Sequence, residues 1–65
     1  MAKLRIKELR EQAGVPQRYL AQHLDVSRMS ISRWERGEAI PAADNLPKLA
    51  QLFGVTIEEL FAKEG

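Results

Sequence analysis

Apolar residues recur along this 65-residue chain at helical spacing, and nowhere in the strict alternation that marks a half-buried strand. Over residues 3–13, Ile6, Leu9, Arg10 and Ala13 fall on one stripe that Gly14 closes, which predicts a first helix. Pro16 cannot continue that helix but suits the opening of another, so a second helix is predicted from about Pro16 or Gln17 to Leu24, with Leu20, Ala21 and Leu24 inside. Asp25 and Val26 then make a bend, and Ser27 stands where the N-cap of a third helix, from about Arg28 to Arg36, belongs. Gly37 ends it. Residues 38–43 read as a loop in which Ile40 tucks against the core and Pro41 stiffens the path.

Asp44 is the expected cap of a fourth helix that carries Leu46, Leu49, Ala50 and Phe53 inward, with Pro47 tolerated in its first turn and Gly54 as its stop. Thr56 and Glu59 fit a capping box, with Val55 and Leu60 placed as the apolar staple of a short fifth helix. No repeat, low-complexity tract or linker interrupts the pattern. The expected architecture is therefore all-α: a compact five-helix domain spanning residues 1–65, with two helices joined by a tight turn over about 16–36 in the helix-turn-helix layout.

The third helix is polar on one side. At about 100° per residue, Ile31 and Trp34 face one way, whereas Arg28, Met29, Ser32, Arg33 and Arg36 share an arc on the other. An arc so rich in arginine and hydroxyl groups suits a DNA major groove. Trp34 could instead be read as a platform for stacking bases, but its spacing from Ile31 assigns it to the core. Tyr19 lies off the apolar stripe of the second helix and is expected to be partly exposed.

Composition narrows the function classes. The formal net charge is only +1, but its distribution is uneven: residues 1–12 carry four basic and two acidic groups, residues 17–36 again four and two, and residues 37–65 two and five. One face is thereby suited to an anionic partner, although mixed surface charge is also common in proteins with no such partner. The chain has no cysteine, which excludes disulfides and thiolate metal sites. His23 is the single histidine and reads as a solvated helix residue. No signal-peptide run and no stretch of about 18 apolar residues is present, so the expectation is a cytoplasmic protein without a membrane segment. Ser27, Ser30 and Ser32 have no paired base, so neither an enzyme nor a cofactor is expected.

Arg10 interrupts the apolar stripe of the first helix, where an unpaired charge would be costly. Either it snorkels to solvent, or it pairs with an acidic residue, for which Glu35 at the edge of the inward arc of the third helix is the best candidate.

Taken together, the Gln17, Leu20, Ala21 pattern, the Val26, Ser27 approach and the run from Ile31 through Gly37 resemble the Cro/repressor-type (lambda-repressor-like, XRE-like) helix-turn-helix family. Pro41, Leu49, Ala50, the Phe53, Gly54, Val55 turn and Leu60 extend the resemblance over nearly the whole chain. The resemblance implies a bacterial or phage-encoded, nucleoid-associated regulator, most simply a repressor. It would bind double-stranded DNA at an inverted-repeat operator as a homodimer. It assigns Arg28, Met29, Ser32 and Arg33 to base reading, and Gln17, Arg18 and Arg36 to phosphates. It also implies a structural Arg10–Glu35 ion pair and points to Ile57 and Phe61 as dimer contacts.

Three departures stand out. The loop after the third helix is acidic and apolar where relatives often carry basic residues, Pro16 replaces a polar cap, and Met29 cannot make the paired amide bonds to adenine that glutamine makes. The acidic loop and low net charge keep a second reading open, a protein-interaction module of antitoxin or scaffold type with weak DNA binding.

Overall fold

The structure, a computed structural model, describes residues 4–61. Its elements follow in the order α1 (Ile6–Ala13), α2 (Gln17–Leu24), α3 (Arg28–Arg36), α4 (Asn45–Phe53) and a 3₁₀ turn over Glu58–Leu60. Residue 3, the expected start of the first helix, lies outside the described residues, as does any continuation of the fifth beyond Phe61. Within them the fifth helix is a correction: it is one three-residue 3₁₀ turn. Its capping box is nevertheless complete, with the Thr56 N–H donating to Glu59 Oε1 at 2.9 Å and the Glu59 N–H donating to Thr56 Oγ1 at 3.2 Å. The box closes one turn and the next residue, Phe61, is already extended, with φ −99° and ψ 145°.

Each element contributes one fully buried side chain to a single core: Ile6, Leu20, Ile31, Leu49 and Leu60. Removing such a side chain from water is worth about 1.5–3 kcal/mol. Trp34 joins this core at 6% exposure, and Ala21 is buried to the same degree on α2, the helix that packs most extensively on α3. All four α-helices end in the same way. The closing residue, Gly14, Asp25, Gly37 or Gly54, adopts a left-handed conformation, and the next N–H reaches back to a carbonyl of the last turn. At Asp25 the φ of 56° is held by a residue with a Cβ, and Val26 N–H still completes the motif on the Ala21 carbonyl at 2.9 Å.

The structure corrects three local expectations. Ile40 is 74% exposed and Pro41 beside it is buried, because an irregular loop has no period that fixes which side chain turns inward. Asp44 makes no side-chain cap: it is already helical, with φ −71° and ψ −16°. The Asn45 and Leu46 N–H groups go instead to the Ala42 and Ala43 carbonyls. Ala13, on the fringe of the α1 stripe, is exposed.

One feature is long-range and has no local sequence signal. Leu4 pairs with Phe61 in an isolated antiparallel bridge, Arg5 N–H donates to the Leu60 carbonyl at 2.6 Å, and the Arg5 guanidinium reaches the Glu59 carbonyl at 3.0 Å. The start of α1 is thereby clasped to the last turn.

Candidate nucleic-acid interface

Ser27 starts α3 by accepting the Ser30 N–H on its hydroxyl at 3.1 Å, while Ile31 and Trp34 anchor the helix by one face. The opposite face is left to solvent: Arg28, Met29 and Arg33 are exposed, Met29 to 58%, and Ser32 is half-buried. An α-helix with its side chains is about 10–12 Å across, which fits the ~12 Å width of a DNA major groove. Of the six arginines, Arg5, Arg10 and Arg36 are ion-paired, whereas Arg18, Arg28 and Arg33 make no hydrogen bond or ion pair among the described residues. These three guanidinium groups are therefore available to an anion or to the acceptor edge of a base.

Behind this face a buried polar network fixes α3 against α1 and α2. Arg10 donates from Nε to Glu35 Oε2 at 2.6 Å and from Nη2 to Oε1 at 3.4 Å; the side chains are 14% and 5% exposed. Arg10 Nη1 also donates to the Val15 carbonyl at 2.9 Å, in the α1–α2 connection. Glu35 Oε1 accepts a third donor, the Gln17 side-chain amide, at 2.9 Å. An ionised carboxylate offers only acceptors, so Gln17 must present its nitrogen, which fixes the orientation of the amide. No buried side-chain polar atom lacks a partner among the described residues. Neither the Val15 contact nor the Gln17–Glu35 bond leaves a periodic signal in the sequence: the first depends on the turn at Gly14 and the second joins residues 18 positions apart.

Gln17 also opens α2. Its cap, Pro16, has an extended ψ of 158° and makes no side-chain bond, and its carbonyl accepts the Tyr19 and Leu20 N–H groups. That leaves the Gln17 and Arg18 N–H groups without a backbone partner at the helix start, the kind of group that can receive an anionic oxygen. Gln17, Ser32 and Arg36 line one cleft of about 260 Å³ together with Lys7, Arg10 and Glu35. Lys7 was not singled out from the sequence; as an isolated exposed lysine it carries no signal there.

Arg36 is not free. Its Nε and Nη2 donate to the two oxygens of Glu38 at 3.0 and 3.2 Å on the surface. The hydrogen bond from Arg36, its charge, and the charge of Arg33 hold the Glu38 carboxyl below its ordinary range, and Glu38 in turn raises the Arg36 pKa. Elsewhere, Tyr19 stacks on His23 with ring centres 6.0 Å apart. Ile57 is 39% exposed, while Phe61 is half-buried against the core and tied to Leu4. No described helix is long and apolar enough to cross a membrane, and no group of three or more acidic, histidine or cysteine side chains converges on a metal site among the described residues.

A helix-turn-helix family model matches residues 6–60, which covers every element above. The HTH-type transcriptional activator BcrR of Enterococcus faecalis is 38% identical over 60 residues, 92% of this chain and 29% of that protein. The HTH-type transcriptional regulator ImmR of Bacillus subtilis is 35% identical over 60 residues, 92% of this chain and 47% of that protein. PuuR of Escherichia coli, another HTH-type transcriptional regulator, is 32% identical over 59 residues. The chain thus spans less than half the length of these relatives. Among solved structures, that of a candidate DNA-binding protein from Bacteroides fragilis superposes with a TM-score of 0.87 at 32% identity, covering 95% of this chain and all of that one.

Proposed function

Because the chain belongs to the helix-turn-helix family of the Cro/repressor type, we propose that it is a sequence-specific double-stranded DNA-binding domain that regulates transcription by laying α3 in the major groove. The observation that carries this reading is the set of unpaired arginines on α2 and α3, set beside a face of α3 that the core does not use. In this reading Arg28 bonds guanine O6 and N7, Met29 packs on a thymine methyl, and Ser32 and Arg33 read farther along the groove. Arg18, Arg36 and the start of α2 with Gln17 hold phosphates and set the register. The Arg10–Glu35 pair is structural: it ties α1 to α3 and, with the Gln17 amide bonded to the same carboxylate, keeps α2 and α3 at a fixed spacing, so that backbone and base contacts are made together.

An inverted-repeat operator read by a homodimer follows if Ile57, with the edge of Phe61, forms the symmetric contact. Ile57→Glu then lowers operator affinity and abolishes dimeric mass on DNA; unchanged values for both remove Ile57 from the contact. Whether occupancy represses or activates is set by where the operator lies relative to the promoter. A repressor, occluding the promoter from a cytoplasmic, nucleoid-bound position, is the simplest arrangement.

Salt-dependent binding to duplex DNA tests the reading. With about four phosphates neutralised per subunit, log affinity against log salt has a slope near −3.6 per subunit. Replacing Arg28, Met29, Ser32 and Arg33 together removes sequence preference while leaving the fold intact. Binding that is insensitive to both salt and these replacements refutes the proposal and favours an apolar protein partner.

A further inference from the structure

Arg36 is the last residue of α3, and the turn that follows brings a carboxylate back onto it. Gly37, with φ 77°, donates to the Trp34 carbonyl at 3.2 Å, and the Glu38 N–H donates to the Arg33 carbonyl at 2.9 Å. These bonds fix the Glu38 backbone two residues beyond the helix end, from where its side chain meets Arg36 through both oxygens. A phosphate that meets Arg36 side-on would use the same Nε–Nη2 edge that Glu38 fills, since carboxylate and phosphate present matching pairs of acceptors to a guanidinium; only the end-on edge, through Nη1, is left open, with the Glu38 charge beside it. Arg36 borders the cleft shared with Lys7, Gln17 and Ser32, so it lies in the same cleft as Gln17, another candidate phosphate contact.

Resting on the DNA-binding reading above, we infer that Glu38 is a built-in competitor for Arg36, an affinity-setting residue that holds the side-on edge of the guanidinium against DNA, so that the Arg36–phosphate contact is largely withheld while Glu38 is present. Two effects act in the same direction. The Arg36–Glu38 pair must open before Arg36 can take a phosphate side-on, and the released carboxylate then faces a polyanion. The opposing possibility is that Glu38 holds Arg36 in a productive rotamer. The geometry speaks against it, because Glu38 fills the side-on edge and places a carboxylate next to any phosphate that takes the end-on one. The result is a reader whose non-specific hold on DNA is weakened at one contact while its base-reading face is untouched.

The test measures binding of a short random-sequence duplex by the wild-type chain, Glu38→Gln, Arg36→Gln and the double variant, from ~50 to ~200 mM monovalent salt. Glutamine keeps the size of the side chain and removes its charge, and circular dichroism melts verify that every variant folds. One added ionic contact steepens the log–log slope by about 0.9, so Glu38→Gln binds about fivefold tighter at ~50 mM salt and less than twofold tighter at ~200 mM. In the Arg36→Gln background the same change alters affinity by no more than about twofold, the residue of screened repulsion. Equal or weaker binding by Glu38→Gln, an unchanged slope, or a full gain that persists without Arg36 overturns the inference while leaving the DNA-binding reading standing. A folded wild-type chain that retains no duplex even at ~50 mM salt overturns both.

Discussion

Replacing Glu35 by alanine is the perturbation to which this fold is most exposed. The Glu35 side chain is 5% exposed and accepts three donors, two from Arg10 and one from Gln17. Its removal leaves the Arg10 guanidinium, 14% exposed, with the Val15 carbonyl as its remaining partner, and strips the Gln17 amide of the acceptor that orients it. Deleting one member of a buried ion pair costs about 3–5 kcal/mol. The lower end applies here, because the rim of Arg10 is within reach of water. A domain of this length holds only about 3–10 kcal/mol in total, so Glu35→Ala consumes a large part of its stability. At about 4–8 °C per kcal/mol, a loss near ~3 kcal/mol lowers Tm by roughly 12–24 °C in a far-UV circular dichroism melt. Replacing both partners by apolar residues of similar size, Arg10→Met with Glu35→Leu, restores most of the loss, because no uncompensated charge remains. The reasoning fails if Glu35→Ala lowers stability by less than ~1 kcal/mol, or if the double variant is no more stable than either single one.

Ala21 is 6% exposed within the core cluster, so Ala21→Leu is expected to cost about 1–3 kcal/mol in urea denaturation through overpacking, and an unchanged midpoint would show that the core is not closely packed there. Asp25→Gly is expected to stabilise the chain by about 0.5–1 kcal/mol, since glycine adopts the φ of 56° without the Cβ penalty that outweighs its greater freedom when unfolded; a lower melting temperature refutes this. The depressed Glu38 carboxyl gives a signed pH effect: its pair with Arg36 contributes fully above the ordinary carboxylate range and is lost as pH falls through the lowered folded value. Melts of the wild-type chain and Glu38→Gln should therefore differ more at pH ~6 than at pH ~2, and an equal difference at both would contradict that assignment.

What could be read from the sequence was chiefly what is decided locally. Ser27 as a cap, the Thr56–Glu59 box, and the stops at Gly14, Gly37 and Gly54 involve partners within a few residues, and each is present in the structure. The inward placement of Ile31 and Trp34 follows from the period of the helix. Ile40 and Pro41 exchanged roles because a loop has no period from which to infer which side chain turns inward. Asp44 had the right chemistry for a cap but the wrong backbone, since the turn before it already supplies carbonyl partners to α4. The fifth helix stops after one turn even though its start signal is intact: a capping box specifies where a helix begins, not how far it runs. At the candidate site, the exposed arc of α3 was visible as a helical face. The links from Arg10 to Val15 and from Gln17 to Glu35 depend on how three segments come together, and the pairing of Glu38 with Arg36 depends on the turn at Gly37.

The central claim is that the exposed face of α3 reads base pairs, and selection from a randomised duplex pool at about physiological salt, run in parallel with the wild-type chain and Met29→Gln, tests it most directly. The account predicts an inverted repeat for the wild type. For Met29→Gln it predicts the same repeat altered at one position of each half-site, from thymine toward adenine, because a glutamine amide can bond adenine N6 and N7 where methionine offers only apolar contact. Failure of the folded wild-type chain to enrich any motif, or a motif that is identical for the two proteins at every position, would contradict it.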